Sequence, residues 1–125
     1  MFKNVTLMLA LVTVQLGPAS ADEAAIERGS TLFKKQCSSC HKVNETGKAV
    51  GPILQGVVGR AAGTTEGFRY SAAMSGSGIT WTTENLDSFL EKPSALMKGT
   101  RMSTSVRDEQ KRQDIIAFLA SLSQE

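Results

Sequence analysis

The chain has 125 residues, and its 14 lysines and arginines nearly balance 12 aspartates and glutamates, giving a formal net charge of +2 at pH 7. This length is enough for one small domain, whose hydrophobic core is modest unless another group contributes to it. The near balance of charge, with no concentrated basic stripe, argues against nucleic acid as a partner.

Residues 1–21 have the pattern of a cleaved secretory signal peptide. Lys3 gives a positive start to an apolar run over residues 5–16, and Ala19-Ser20-Ala21 is a small-x-small cleavage site. The run is shorter than the about 20 apolar residues that span a bilayer, which disfavours the alternative of an uncleaved membrane anchor. We therefore expect export to the periplasm and a mature domain of residues 22–125 that has no membrane span.

The rest of the chain predicts an all-α fold. Apolar residues recur at three- and four-residue spacings, whereas no stretch shows the sustained alternation of a strand. Glycines and prolines mark residues 42–67 and 93–104 as loops. So much loop in one small domain needs a central group against which the loops can pack. The predicted helices cover, in chain order, residues 23–37, 71–74, 83–91 and 108–122, with Thr82 or Thr83 capping the third.

The end of the first predicted helix carries a Cys-x-x-Cys-His motif, formed by Cys37, Cys40 and His41. Two thiols at this spacing can each add to a vinyl group on the same edge of a haem, and the adjacent histidine is then held beneath the iron. The pattern is typical of c-type haem attachment. It predicts one haem c, covalently attached through Cys37 and Cys40, with His41 as an iron ligand.

Two other interpretations of the motif are less favoured. A thiol–disulfide exchange centre on a thioredoxin-like fold needs a parallel sheet around the cysteines, and the sequence predicts none. A structural zinc site needs four ligands, and the chain has no cysteine or histidine beyond these three residues.

The second axial ligand of the iron has to come from another residue type, because His41 is the only histidine. Methionine, lysine and an open position remain. Beyond residue 21 the methionines are Met74, Met97 and Met102, and we favour Met102 because it follows a Gly-Thr-Arg run in the predicted loop between the last two helices. A thioether stabilises ferrous iron and raises the potential relative to stronger donors. Core filling is the usual role of a methionine, and we expect it of Met97.

The sequence resembles class I cytochrome c, in its mitochondrial-type and bacterial soluble branch, over nearly all of residues 22–125. This resemblance implies a small cytochrome c fold, with several short helices and long loops wrapped around one covalently attached haem. The motifs that carry it are, in chain order, Gly29, Phe33, Cys37-Ser-Ser-Cys40-His41, Gly51-Pro52-Ile-Leu54-x-Gly56, Gly59-Arg60, Tyr70, Trp81, Glu91-Lys-Pro93, Gly99-Thr100-Arg101-Met102 and Asp114-Ile-Ile-Ala-Phe118-Leu119.

The resemblance also implies roles for four further residues. The carbonyl of Pro52 would accept a hydrogen bond from the second ring nitrogen of His41, which fixes the orientation of the ring. Arg60, Tyr70 and Trp81 would hydrogen-bond to the haem propionates or offset their charge, which is costly to bury unpaired. Close packing of Gly29 and Phe33 against Phe118 is implied as well.

Three departures from the family pattern lie around Met102. Lys98 stands where the family usually has a proline, so the loop is less constrained and Lys98 is itself a candidate replacement ligand at high pH. Phe89 stands where a tyrosine is common, which removes a hydrogen bond near the methionine sulfur. Residues 103–105, Ser-Thr-Ser, replace the usual aromatic residue and make that edge more polar.

These features predict a one-electron carrier between membrane or periplasmic redox complexes, and not an enzyme. We expect a monomer that docks transiently on its donor and acceptor, guided by the positive side chains of Lys35, Lys42, Lys98 and Arg101. The alternatives are a haem enzyme or gas sensor with a labile sixth ligand, and a cytochrome subunit of a dehydrogenase or oxidase.

Overall fold

A computed structural model describes residues 21–44 and 49–122. In these ranges the chain forms five helices and no β-strand beyond an isolated bridge between Ala61 and Thr80, which confirms the predicted all-α class. No helix in the described ranges is long and apolar enough to cross a membrane. Apart from Ala21, the predicted signal peptide lies outside the described residues. The helices are α1, Ala21–Gln36; α2, Ala72–Ser75; α3, Thr83–Glu91; α4, Pro93–Leu96; and α5, Glu109–Ser121.

Side-chain caps explain where three of these helices begin. The residue before each helix is extended, and its side-chain oxygen accepts a backbone N–H from the first turn. Ser71 accepts from Met74, 3.1 Å away, at α2, and Asp108 accepts from Lys111, 2.8 Å away, at α5. Thr82 is the cap of α3. A cap of this kind contributes about 1 kcal/mol, so serine, threonine and aspartate fix these boundaries.

The short helix α4 corrects the prediction that residues 93–104 are entirely loop. Pro93 is the first residue of α4, and the N–H of Met97 donates to its carbonyl at 2.9 Å. A proline at the first helical position stops the preceding helix but suits the next one, because its missing N–H would have no partner there. The prediction of a loop over residues 93–104 took Pro93 only as a residue that ends a helix.

Helices α1 and α5 pack directly against each other, and Gly29 makes this close approach possible. A Cβ at Gly29 would overlap the backbone carbonyl oxygen of Asp114 and lie 2.8 Å from the Cβ of Phe118. One turn further along α1, the ring centroids of Phe33 and Phe118 are 5.4 Å apart. The packing implied by the family resemblance is therefore present.

An ion pair at the same crossing ties α1 to α5. Arg28 donates from Nε and Nη2 to the two carboxylate oxygens of Asp114, each at 2.9 Å, and Gln110 donates to Asp114 at 3.1 Å. The hydrogen bond from Arg28 lowers the pKa of Asp114. Asp114 is buried while Arg28 is largely exposed, so the carboxylate depends on these donors for its solvation.

The buried apolar side chains form one cluster around the inner faces of α1, α3 and α5. Trp81 and Phe89 make a tilted ring contact within it, with centroids 5.0 Å apart. Many members of the cluster face a central cavity rather than one another, so the core encloses a space that the site uses. The cluster comprises Phe33, Val57, Ala62, Trp81, Leu86, Phe89, Leu90, Met97, Val106, Ile115, Ile116 and Leu119.

We predict that Gly29→Ala destabilises the protein by about 1–3 kcal/mol, the usual cost of overpacking. The added methyl group would force α1 away from the backbone of α5 at Asp114. Urea unfolding of the holoprotein measures the change. Ser30→Ala, one residue along the same helix, is the control and should have little effect. Equal stability of Gly29→Ala and the parent would contradict the close packing.

Candidate functional site

The loops and the inner faces of the helices enclose a cavity of about 400 Å³. This volume lies in the range of small-molecule and cofactor sites. The lining is mainly apolar, and it includes every site residue that the sequence predicted. Those residues are Cys37, Cys40, His41, Pro52, Arg60, Tyr70, Trp81 and Met102. Residues up to 65 positions apart in sequence therefore meet around one space.

The two cysteines lie on a tight turn at the end of α1. The N–H of Cys37 continues the helix to the carbonyl of Phe33 at 2.9 Å, and the N–H groups of Cys40 and His41 both donate to the carbonyl of Cys37. Both thiols are free and half-buried, and burial raises the pKa of Cys37. The turn presents the two thiols and the imidazole to the same cavity.

His41 is held in a defined orientation by the backbone of the following loop. Its Nδ1 lies 2.9 Å from the carbonyl oxygen of Pro52. Because a carbonyl can only accept, Nδ1 must carry the proton, and the lone pair of a neutral ring is then on Nε2. Burial lowers the pKa of His41, which favours this neutral form. Neutral imidazole with one nitrogen committed to a second partner is the usual arrangement of a metal-ligating histidine.

Gly51 is a site residue whose role the sequence analysis missed. A Cβ at this position would overlap Cε1 of His41 and lie 2.7 Å from its Nδ1. The N–H of Gly51 also donates to the carbonyl of Cys40 at 2.8 Å, which fixes the loop against the cysteine turn. Gly51 has a negative φ, so only the contact with the imidazole requires glycine here. A glycine next to a proline gave no sequence signal for such a contact.

A half-buried cation and a half-buried phenol lie on another part of the cavity wall. Arg60 donates from Nη1 and Nη2 to the carbonyl oxygens of Gln55 and Ile53, at 3.3 and 3.1 Å. Burial lowers the pKa of Arg60, and no carboxylate among the described residues pairs with it. The oxygen of Tyr70 accepts the N–H of Thr65 at 3.2 Å, and its own hydroxyl hydrogen has no acceptor among the residues that the structure describes. An anionic group in the cavity would offset the positive charge of Arg60.

Thr65 adds an observation that the sequence did not predict. Its hydroxyl is buried and has no hydrogen-bond partner among the described residues. The same residue donates its backbone N–H to Tyr70, so the unpaired hydroxyl belongs to the segment that carries the tyrosine. Unpaired buried polar atoms are costly and rare. Thr65 itself does not line the cavity, so the groups that can meet a polar ligand group there are those of Arg60 and Tyr70.

The three methionines occupy different environments. Met102 is half-buried, lines the cavity and donates its N–H to the hydroxyl of Thr100 at 3.4 Å. Met97 is 4% exposed and belongs to the core, as expected for a packing residue. Met74 on α2 also lines the cavity, which the sequence analysis did not foresee. Phe89 lines the cavity as well, whereas Lys98 is exposed and is not part of the lining.

The positive side chains that the sequence analysis singled out are all exposed: Lys35, Lys42, Lys98 and Arg101. Of these, Arg101 lines the cavity and donates to the carbonyl of Arg69 at 3.3 Å, which links the loop of Met102 to the segment before α2. Val50, 77% exposed, is a large apolar residue at the rim of the same cavity.

Comparison with known proteins agrees with this geometry. The family model described as cytochrome c matches residues 26–123 of the chain. The chain therefore belongs to the cytochrome c family and is a class I c-type cytochrome. It is an electron-transfer protein that carries one haem c, covalently attached through Cys37 and Cys40. The zinc and thiol–disulfide interpretations of the motif are thereby set aside.

Several relatives match over most of their length. Cytochrome c2 of Blastochloris viridis is 43% identical over 113 residues, which are 89% of this chain and 87% of that protein. Cytochrome c2 of Rhodomicrobium vannielii is 47% identical over 96 residues, which are 75% and 76% of the two chains. Cytochrome c of Tetrahymena pyriformis is 43% identical over 112 residues, which are 89% and 94%.

The residues present fit the haem that the family implies. The cavity is mainly apolar, as a macrocycle requires, and it has a histidine with a directed lone pair on Nε2. The polar region around Arg60 and Tyr70 holds a cation without a carboxylate partner among the described residues, which suits the two propionates of haem. The same cavity brings the two free thiols next to the histidine.

We predict that Gly51→Ala disturbs the site more than the fold. The added methyl group would push the His41 ring away from the Pro52 carbonyl, so the yield of protein with covalently attached haem should fall severalfold. The yield is measured as haem absorbance per milligram of exported protein. Gly76→Ala is the control, because a Cβ there meets only one backbone oxygen, 3.1 Å away. Normal yield and an unchanged spectrum for Gly51→Ala would contradict the tight contact.

Proposed function

We propose that the protein is a diffusible one-electron carrier whose haem iron is bound by His41 on one side and Met102 on the other. The observation that carries this proposal is that one cavity contains both a histidine with an oriented Nε2 lone pair and a thioether on a separate loop. When bound, the haem supplies a centre that accepts and releases a single electron.

The chain's own residues would keep both axial positions of the iron closed. Pro52 and Gly51 hold the imidazole of His41 in one orientation, and the loop that follows α4 brings Met102 to the same cavity. Apolar side chains around them, such as Phe89 and Leu90, exclude water. With two protein ligands that stay in place, no site is left for a substrate, and the geometry changes little between oxidation states. This supports a carrier rather than an enzyme.

Arg60, Tyr70 and Trp81 would hold the propionates. The two free hydrogen-bonding groups here, the remaining donors of Arg60 and the hydroxyl of Tyr70, match an anionic acceptor. Trp81 supports this region through its backbone, because its N–H donates to the carbonyl of Arg60 and its carbonyl accepts from Gly59.

Donor and acceptor proteins would dock transiently at the rim of the cavity that would hold the haem. The exposed cations Lys35, Lys42, Lys98 and Arg101 would steer an acidic surface toward the rim, where Val50 offers an apolar contact. We further propose that residues 1–21 are removed on export, that residues 22–125 act in the periplasm, and that the protein is a monomer.

We predict that Met102→Ala opens the sixth position. The variant should lose the weak red-edge band of ferric haem and have a lower midpoint potential. It should also bind added imidazole at least roughly tenfold more tightly, because imidazole no longer has to displace the thioether. A tenfold change in affinity corresponds to about 1.4 kcal/mol. Met74→Ala is the matched control, since Met74 lines the same cavity. If Met102→Ala kept the parent spectrum and potential, a labile-ligand enzyme or sensor would be the better assignment.

We predict that reduction by hexacyanoferrate(II), an anionic reagent, slows roughly tenfold from about 10 mM to about 0.5 M salt. Salt screens the positive side chains at the rim. Lys42→Gln, next to His41, should lower the low-salt rate, whereas Lys111→Gln, exposed on α5, should leave it unchanged. Rates that are independent of salt would contradict electrostatic steering.

A further inference from the structure

The segment that follows Met102 is weakly held along most of its length. Residues 103–105 are exposed, and none of them makes a hydrogen bond to another described residue. Before Met102, the contacts are long: Thr100 donates its N–H to Met97 at 3.2 Å and accepts from Met102 at 3.4 Å. Local contacts alone therefore leave the thioether poorly fixed.

The first strong anchor after Met102 lies at Val106. Its N–H donates to the carbonyl of Leu90 on α3 at 2.7 Å, and its side chain is 5% exposed and lines the cavity. Val106 lies four positions after Met102, and such a stretch spans at most about 14 Å. Any displacement of Val106 therefore changes where Met102 can lie.

Arg112 on α5 is the residue that completes this anchor. Its Nη1 donates to the carbonyl oxygens of Val106 and Arg107, at 3.1 and 2.8 Å, and its Nε donates to Asp87 on α3 at 2.8 Å. The side chain is 7% exposed, which is unusual for an arginine. One planar guanidinium thus joins α3, α5 and the returning loop at the same point.

We propose that Arg112 is a positioning residue for Met102, acting through Val106 and without touching the cavity. The inference rests on the proposed ligation by Met102. Arginine suits this role because its fixed fork serves two carbonyls and a carboxylate simultaneously, which a lysine ammonium on a flexible stem cannot reproduce. The role gains importance because Lys98 stands where the family usually has a proline. The loop on the other side of Met102 therefore lacks the ring that would stiffen it.

The test compares two arginines of similar structural importance. Arg112→Lys keeps the positive charge but loses the fork, and Arg28→Lys does the same to the Arg28–Asp114 pair, which holds α1 to α5 far along the chain from the Met102 loop. Both holoproteins should unfold at a lower temperature than the parent. Imidazole binding to the ferric protein then reports how readily Met102 leaves the iron. We expect imidazole to bind roughly tenfold more tightly to Arg112→Lys but not to Arg28→Lys. The reason is that losing about one hydrogen bond from the anchor makes Met102 easier to displace by about 1.4 kcal/mol.

Equal imidazole affinity of Arg112→Lys and the parent, or the same gain in Arg28→Lys, would overturn the proposal and leave Arg112 a purely stabilising residue. If Arg112→Lys does not fold, Asp87→Asn provides the second variant, because it weakens the hold on the guanidinium while leaving the arginine in place. It should tighten imidazole binding in the same direction. A parent protein that lacks the spectrum of methionine-ligated ferric haem would instead show that the proposed function has failed.

Discussion

The hydrogen bond between Nδ1 of His41 and the carbonyl of Pro52, 2.9 Å long, links the sequence motif to the chemistry of the site. It decides which ring nitrogen carries the proton and therefore which one offers a lone pair to the cavity. The bond exists because Gly51 leaves room for the ring and because the turn after α1 places His41 directly beside the two thiols. Pro52 suits the position, since it has a carbonyl to accept the bond and no N–H of its own.

The rest of the fold surrounds this centre with a cavity wall, and that wall is formed by contacts between residues that are distant in sequence. Gly29 lets α1 approach α5, and that crossing brings Phe33, Ile115 and Leu119 to one side of the cavity. A separate loop carries Met102 and is secured at Val106. The two proposed iron ligands thus differ in how they are held: His41 by adjacent residues of a turn, and Met102 by a loop that is anchored through contacts with distant helices.

This difference explains what the sequence could predict. The cysteine turn and His41 are local in sequence, so a five-residue motif was sufficient to identify the kind of site. The cap at Thr82 and the apolar spacings are also local, and the four helices predicted from them begin within two residues of the observed starts. The contact between Gly51 and the His41 ring and the fork of Arg112 depend on tertiary packing, which leaves no periodic or compositional signal. Helix α4 was missed because Pro93 ends one helix and begins another.

Resemblance to a family supplied expectations that the bare residues could not. Arg60, Tyr70 and Trp81 were expected at the cavity only because of it, and all three line the cavity. Their role toward the propionates stays a prediction. Lys98 was considered as a replacement ligand from sequence, but its exposed side chain is not part of the cavity lining, so its binding would require the loop to rearrange.

The central claim is that two protein ligands, His41 and Met102, close the iron. An absorption spectrum of the unmodified protein, purified from an exporting host in the ferric and then the ferrous form, tests it most directly. The account predicts a weak ferric band at the red edge, which reports methionine bound to iron, together with the ferrous spectrum of a haem held by two thioether bonds. A ferric spectrum without that band, in protein whose haem is covalently attached, would contradict it.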